Sequence, residues 1–379
     1  MNKKYSNSIA VIFIGVFGAS IPAMASVDWT FKKLGTPGSL RSAAFSINDS
    51  GQVAGFSSTS TSLTEQAFIT GANGTGVTIL GALGGPTSDA VDINASGRAV
   101  GEALIDENYS HNHAFITNAN GSGMTDLGTL GGTWSQALSI NDSGRTVGYS
   151  FTSKNTRETE HAFITNANGI GLTDLGTLGG SSSQARGINN SGQVIGVSQI
   201  AGDTATHAFI TGAYGIGMTD LGTLGGTTSI ASTINGAGQV VGSSTTSSSL
   251  SEHAFVTGPN GTGMTELIIP GEARSGALGI NDSGQVVGYF YTDATTFHAF
   301  LYSNGVVTDL SLLTPFTIAG WTDIAASSIN NAGQIVGTGT LNGNSQGFLL
   351  SPVPEPDTYA MLLAGLGLLG LLMRRRNPA

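Results

Sequence analysis

One five-residue phrase constrains this chain more than any other feature, because it is written seven times. It reads GQVAG from Gly51, GRAVG from Gly97, GRTVG from Gly144, GQVIG from Gly192, GQVVG from Gly238 and again from Gly284, and GQIVG from Gly333. Each copy follows an Ile-Asn pair whose asparagines are Asn48, Asn94, Asn141, Asn189, Asn235, Asn281 and Asn330, spaced 46 to 49 residues apart. Three residues before each isoleucine stands an alanine, from Ala44 to Ala326, and later in every unit comes a phenylalanine, from Phe68 to Phe348. A fixed period of this size is the mark of a solenoid or a propeller.

Each unit reads as four short strands, here labelled a to d. In the third unit, a is Ser135 to Asn141, b is Gly144 to Tyr149, c is His161 to Thr165 and d is Leu172 to Leu175. The punctuation is Gly, Asn, Asp and Ser, as in antiparallel meanders, and no helical period is sustained between the ends. Four strands in about 47 residues is the size of one propeller blade. The seventh unit stops after strand c at Leu350, while Trp29 to Gly35 forms a spare strand d ahead of the first unit. Leu34 precedes Asn48 by 14 residues, the interval that also separates Leu80 from Asn94 and Leu127 from Asn141. The expected fold is therefore all-β: a seven-bladed β-propeller of four-stranded antiparallel blades, closed by the N-terminal strand, with a C-terminal hydrophobic helix after it. Strand a is expected innermost, where crowding demands alanine. The phenylalanines are expected between blades, each contributing about 1.5–3 kcal/mol on burial.

The ends give an address. Lys3 and Lys4, the apolar stretch Ile9 to Ala19 and the small-x-small site Ala23-Met24-Ala25 read as an export signal over residues 1–25, with cleavage recognised through Ala23 and Ala25. A first transmembrane helix is the competing reading, disfavoured by the short apolar run. At the other end, Pro354-Glu355-Pro356 precedes an uncharged run from Tyr359 to Met373 and then Arg374-Arg375-Arg376. The segment 353–379 resembles the PEP-CTERM sorting signal of Gram-negative bacteria. That resemblance implies passage through the export machinery, transient inner-membrane retention, recognition by an exosortase, and a final place at the cell surface or in extracellular matrix. Fifteen helical residues span roughly 22 Å, short of the ~30 Å hydrocarbon core, as a temporary transmembrane stop would be. A permanent anchor is the alternative.

Residues 26–352 form the exported body. It keeps nine of the 14 basic and 22 of the 24 acidic residues, a net charge near −13. Nucleic acid needs a basic footprint and is excluded as a partner. The chain has no cysteine, so the body holds together by packing and strand pairing alone. The triplet His-Ala-Phe at His113, His161, His207, His253 and His298, with segments such as Leu127 to Gly132, resembles the HAF extracellular repeats; Gln66 and Gln346 replace histidine in the first and last copies. That family lends no catalytic residues.

No catalytic constellation stands out, and no metal or cofactor is implied. The repeated histidines belong to different units and read as structural hydrogen-bond donors. The acids Asp126, Asp174, Asp220, Asp309 and Glu266 occupy one repeated strand-d position and read as part of the frame. His111 and His113, two apart on one strand face with Asp106 and Glu107 nearby, form the one local ligand-like cluster, with a weak divalent site as its minor reading. The interval from the phrase's last glycine to the phenylalanine varies from 11 to 15 residues, so the b–c loops carry the variation. In a meander the b–c and d–a connections share one face, and variable loops on a rigid frame are where binding sits. The candidate ligand-binding residues are Asp106, Glu107, Tyr109 and His111 in the second unit, with Lys154, Arg157, Glu158 and Glu160 in the third. The expected function is a non-enzymatic scaffold that presents loops to a polysaccharide or a surface protein. The alternative is a carbohydrate-active hydrolase or lyase, which would concentrate unrepeated carboxylates at one end of the channel; no such concentration is legible. Ice binding would need a regular threonine array, and the threonines are dispersed.

Overall fold

The computed structural model describes residues 28–59, 62–107, 111–153, 159–248, 251–272, 274–293 and 295–353. The repeat is realised strand by strand. In the third unit the strands are Ser135–Ile140, Thr146–Phe151, Glu160–Thr165 and Leu172–Gly176, each antiparallel to the next. The a–b turn closes when the Gly144 N–H donates to the Asn141 carbonyl at 2.9 Å. Gly144 sits at φ 80°, a left-handed conformation that a side chain would strain. The last glycine of the phrase has a different task. At Gly148 an added Cβ would be driven into the carbonyl oxygen of Gln136 on strand a, and the corresponding glycines Gly55, Gly101, Gly196, Gly242, Gly288 and Gly337 meet the same obstruction.

The blade count expected from the sequence needs correction. The strands assemble into five four-stranded antiparallel blades and one eight-stranded sheet, not seven separate blades. The eight-stranded sheet joins the fourth and fifth repeat units through one parallel pairing, Thr206 with Thr228. The cause is local. In these two units the innermost strands run for ten residues, Gly179–Ile188 and Gly225–Ile234, where most others have six to eight. Their added N-terminal residues pair with the end of strand b, Gly179 with Ile200 and Gly225 with Thr246, and Thr228 within the extension of the fifth unit reaches strand c of the fourth. The expected C-terminal hydrophobic helix lies outside the described residues, as do the signal-peptide residues. Among the described residues the one α-helix is Thr314–Ala319, and no helix is long and apolar enough to cross a membrane.

The chain ends of the body meet in one blade. Trp29–Leu34 pairs antiparallel with Asn344–Pro352, placing Phe31 opposite Leu350 and Leu34 opposite Gly347. Phe31 packs edge-on against Phe316 at 5.3 Å and Trp321 at 5.5 Å, and Phe316 against Phe348 at 4.9 Å. The helix Thr314–Ala319 thus occupies the one long interval of the repeat, the 30 residues from Phe300 to Asn330, and drives Phe316 under the closing strand.

The core is divided among units rather than concentrated. Val147, Ala162 and Ile164 of the third unit pack with Ala185, Ile188, Val194 and Phe209 of the fourth, and the same combination recurs around the ring. All seven repeat phenylalanines and all seven strand-a alanines are fully buried. A ring of asparagines ties the units at the axis. The side-chain amide of Asn48 donates to the Asn94 carbonyl at 2.9 Å, Asn94 to Asn141 and Asn141 to Asn189 at 3.1 Å, and Asn189 to Asn235 at 3.2 Å. Asn235 donates to Asn281 and Asn281 to Asn330 at 3.1 Å, and Asn330 returns to Asn48 at 3.0 Å across 282 residues of sequence.

Candidate functional site

Every innermost strand carries a bulge immediately after its alanine. The extra residue opposes nothing on strand b and turns toward the axis, as bulged residues do. In order these residues are Phe45, Val91, Leu138, Arg186, Ser232, Leu278 and Ser327, and all seven line one axial cavity of about 390 Å³. The repeat therefore uses a variable strand-a position to shape a channel. The a–b turn end of that channel is nearly uniform, lined by the Ile-Asn pairs and the residue after each. The other end, beneath the b–c loops, is individual.

That individual end gathers acids from separate units. Asp89 lies near the start of strand a of the second unit, Glu102 in the second half of its strand b, and Glu160 and Glu252 open strand c in the third and fifth units. In a meander these positions share one face. Glu102 accepts from the Asn112 amide at 3.0 Å and from the Gln136 amide at 3.1 Å, and the Tyr149 hydroxyl donates to Gln136 at 2.8 Å. Glu160 accepts from Gln184 at 2.8 Å, whose oxygen accepts from Arg186 at 3.1 Å. Burial pushes the Glu102 carboxyl up to about 7, against the Asn112 bond and with help from the charge on Asp89. Burial also pushes Asp89 up to about 6, reinforced by Glu65 and opposed by Arg41. Burial raises the Tyr149 hydroxyl to about 12, assisted by Glu160 and Glu102. The Arg186 guanidinium is lowered by its burial, with Tyr149, Glu160 and Glu252 pulling the other way. Among the described residues Asp89 Oδ1 and Arg186 Nε are buried without a hydrogen-bond partner, and both side chains line the cavity.

Deeper in the channel Asp92 braces three units. It accepts from Ser46 at 2.6 Å, Ser139 at 2.8 Å, and the N–H groups of Ile93 and Ile140 at 2.8 and 2.9 Å. Burial still raises its carboxyl above the usual range, because a narrow channel solvates a charge poorly. Trp134 packs tilted against Tyr149 at 5.0 Å and Phe151 at 5.6 Å, giving the third unit a partly exposed aromatic platform.

The residues expected from the sequence distribute differently. Glu160 belongs to the channel-mouth network. Asp106 and His111 pair at 3.1 Å on the second b–c loop, and Glu107 is exposed beside them. Tyr109, Lys154, Arg157 and Glu158 lie outside the described residues, as do Ala23, Ala25, Pro354, Glu355, Pro356, Arg374, Arg375 and Arg376. His113 is separated from the loop pair: its Nδ1 lies 2.9 Å from Asp126. His161, His207 and His298 likewise meet Asp174, Asp220 and Asp309 at 2.7 to 2.8 Å. The repeated histidine and the repeated acid are thus one strand-c to strand-d clasp. Their common repetition, 13 residues apart in the second, third and fourth units, was the available signal. Asp89, Asp92, Gln136 and Arg186 were overlooked; the signal for them was variation beside an alanine common to every unit.

The fold and the channel define a β-propeller body with one individual mouth. Residues 352–376 match the PEP-CTERM protein-sorting motif, which marks the chain for export toward the cell surface and for sorting by an exosortase. No curated protein matches the chain in sequence. Among solved structures it is similar to the β-propeller domain of the trilobed protease from Pyrococcus furiosus, with a TM-score of 0.53 and 8% identity over 82% of this chain and 95% of that one. It is also similar to YCF48 bound to D1 peptide, with a TM-score of 0.50 and 10% identity over 89% of this chain and 100% of that one. TolB from Acinetobacter baumannii aligns at a TM-score of 0.47 and 11% identity over 67% of this chain, which spans 61% of the TolB chain. At these identities the likeness is one of fold.

Proposed function

We propose that this protein is a non-enzymatic propeller scaffold of the cell surface or extracellular matrix, and that the mouth of its channel binds a neutral or amino-bearing polysaccharide. One observation carries the reading: Asp89, Glu102 and Glu160 converge from separate strands with Gln136, Gln184 and Asn112 interleaved, beside the Trp134–Tyr149 platform. Carboxylate and amide oxygens accept from sugar hydroxyls, and an aromatic face takes the apolar face of a pyranose. A few polar groups placed around a concave apolar wall are what a small-ligand site needs. The acidic mouth disfavours anionic polymers. The b–c loop residues Asp106, Glu107, Tyr109 and His111, with Lys154, Arg157 and Glu158, supply the outer contacts in this reading. The HAF-type repeat supplies the frame, and the tail holds the chain at the inner membrane before exosortase processing.

A glycan array probed with the full chain and with Glu102→Gln tests this. Binding to neutral or amino-sugar glycans should weaken at least about tenfold in the variant. Equal binding by both proteins, or binding to no glycan, would refute it. A second reading is favoured by Glu102 alone: a carboxyl held near 7 suits a general acid, as in a glycan hydrolase or lyase. Release of new reducing ends, lost in Glu102→Gln, would decide for that reading over the scaffold.

A further inference from the structure

The fifth unit breaks the repeat at its strand-c to strand-d clasp. In its sisters, the histidine faces an aspartate whose other oxygen is capped by the N–H two residues on, at 2.7 Å from Gly128, Gly176 and Gly222 and 2.9 Å from Ser311. In the fifth unit the acid is Glu266, one methylene longer, and the residue two on is Ile268. Six residues past the acid position, the first four units carry Gly85, Gly132, Gly180 and Gly226, where an added Cβ would strike the neighbouring strand b. The fifth carries Glu272 there, delivered by the turn Ile269-Pro270-Gly271 instead of a Gly-rich segment.

The result is a histidine between two carboxylates. His253 Nδ1 lies 3.0 Å from Glu266 Oε1 and 3.5 Å from Glu272 Oε1. The three donor atoms all lie within 4.8 Å of one another. The Glu272 side chain is only 9% exposed, and its Oε2 is buried with no hydrogen-bond partner among the described residues. His253 Nδ1, despite its short contacts, makes no hydrogen bond there either, unlike the histidines of the sister units. Among the described residues neither glutamate pairs with a lysine or arginine. The Glu272 carboxylate, nearly buried beside the half-exposed Glu266, needs a positive charge near it.

We propose that His253, Glu266 and Glu272 form a divalent cation site, with Zn²⁺ as the ion it best suits. One imidazole nitrogen and two carboxylate oxygens match the preference of zinc, whereas calcium takes oxygen ligands alone. Zn–N and Zn–O bonds near 2.1 Å in a tetrahedron put ligand atoms about 3.4 Å apart. The observed 3.0 and 3.5 Å contacts straddle that edge. The off-axis approach of the oxygens to Nδ1 fits a shared ion rather than a shared proton. Three protein ligands leave a fourth position for water or for an oxygen of a bound partner, on the same face as the channel mouth.

Calorimetric titration of Zn²⁺ into the purified full chain tests the site. One equivalent should bind with a rise in Tm, and both Glu272→Gln and His253→Gln should weaken binding at least about tenfold. His161→Gln, which alters an ordinary clasp, should bind zinc as the parent does. No uptake by the parent, equal affinity in the two site variants, or an equal loss in His161→Gln would each overturn the proposal. Having two site variants keeps it testable should one of them fail to fold.

Discussion

Replacing Asn330 with alanine tests how the ring is held. Asn330 is buried, and its side chain makes four hydrogen bonds. The amide donates to the Asn48 carbonyl at 3.0 Å and to Gln334 Oε1 at 2.9 Å. Its oxygen accepts from the N–H groups of Ala332 at 3.1 Å and Gln334 at 2.9 Å. A net loss of about 1 kcal/mol per bond, raised where the abandoned partner stays dry, gives a cost of about 3–5 kcal/mol. The bond to Asn48 also crosses the closure of the chain, so its loss loosens the ring where covalent continuity is absent. Guanidinium unfolding followed by tryptophan fluorescence suits the question, because Trp29 and Trp321 both belong to the closing blade. Asn141→Ala is the comparison, since Asn141 makes an equivalent bond to Asn189 at 3.1 Å within continuous sequence. The two variants should lose similar stability, each within the stated range. A loss below about 1 kcal/mol in Asn330→Ala would refute the claim that the asparagine ring is a principal tie, and a mild Asn330→Ala beside a severe Asn141→Ala would refute closure.

The buried acids predict a reversed pH dependence. The folded protein holds the Glu102 proton more tightly than the unfolded chain, so this contribution is complete below about pH 4.5 and is lost as pH rises to about 7. Displacement from 4.5 to about 7, at about 1.4 kcal/mol per tenfold, makes it about 3 kcal/mol. Urea unfolding of Glu102→Gln at pH 5 and pH 8 should show a flatter profile than the parent; an unchanged slope would count against a buried carboxyl. The repeat phrase itself is testable at Gly148→Ala, where the new methyl meets the Gln136 carbonyl and overpacking should cost about 1–3 kcal/mol by thermal unfolding. No change in Tm would mean that strands a and b can separate freely.

The sequence by itself determined what is periodic. Four strands per unit, the positive-φ glycine at each a–b turn, the buried alanine and phenylalanine, and the spare strand Trp29–Leu34 facing an unfinished last unit all follow from local pattern and from the phase of the ends. These are short-range statements, and seven repetitions average away their ambiguity. Tertiary structure alone decided what depends on how the units meet. Two innermost strands run ten residues, and in the fifth unit the extension brings Thr228 to Thr206 so that two units merge into one sheet. Bulges turn Arg186 and its counterparts into the channel, and no count of residues between glycines announces them. Asp89 and Glu102 face each other across one hairpin, but Glu160 joins their network only because the third unit packs beside the second, through Tyr149 and Gln136. Glu272 reads as an ordinary loop acid until the turn at Pro270 sets it against His253. Charge clusters of this kind depend on how strands, turns and neighbouring units pack in three dimensions, which the periodic pattern of a segment does not announce.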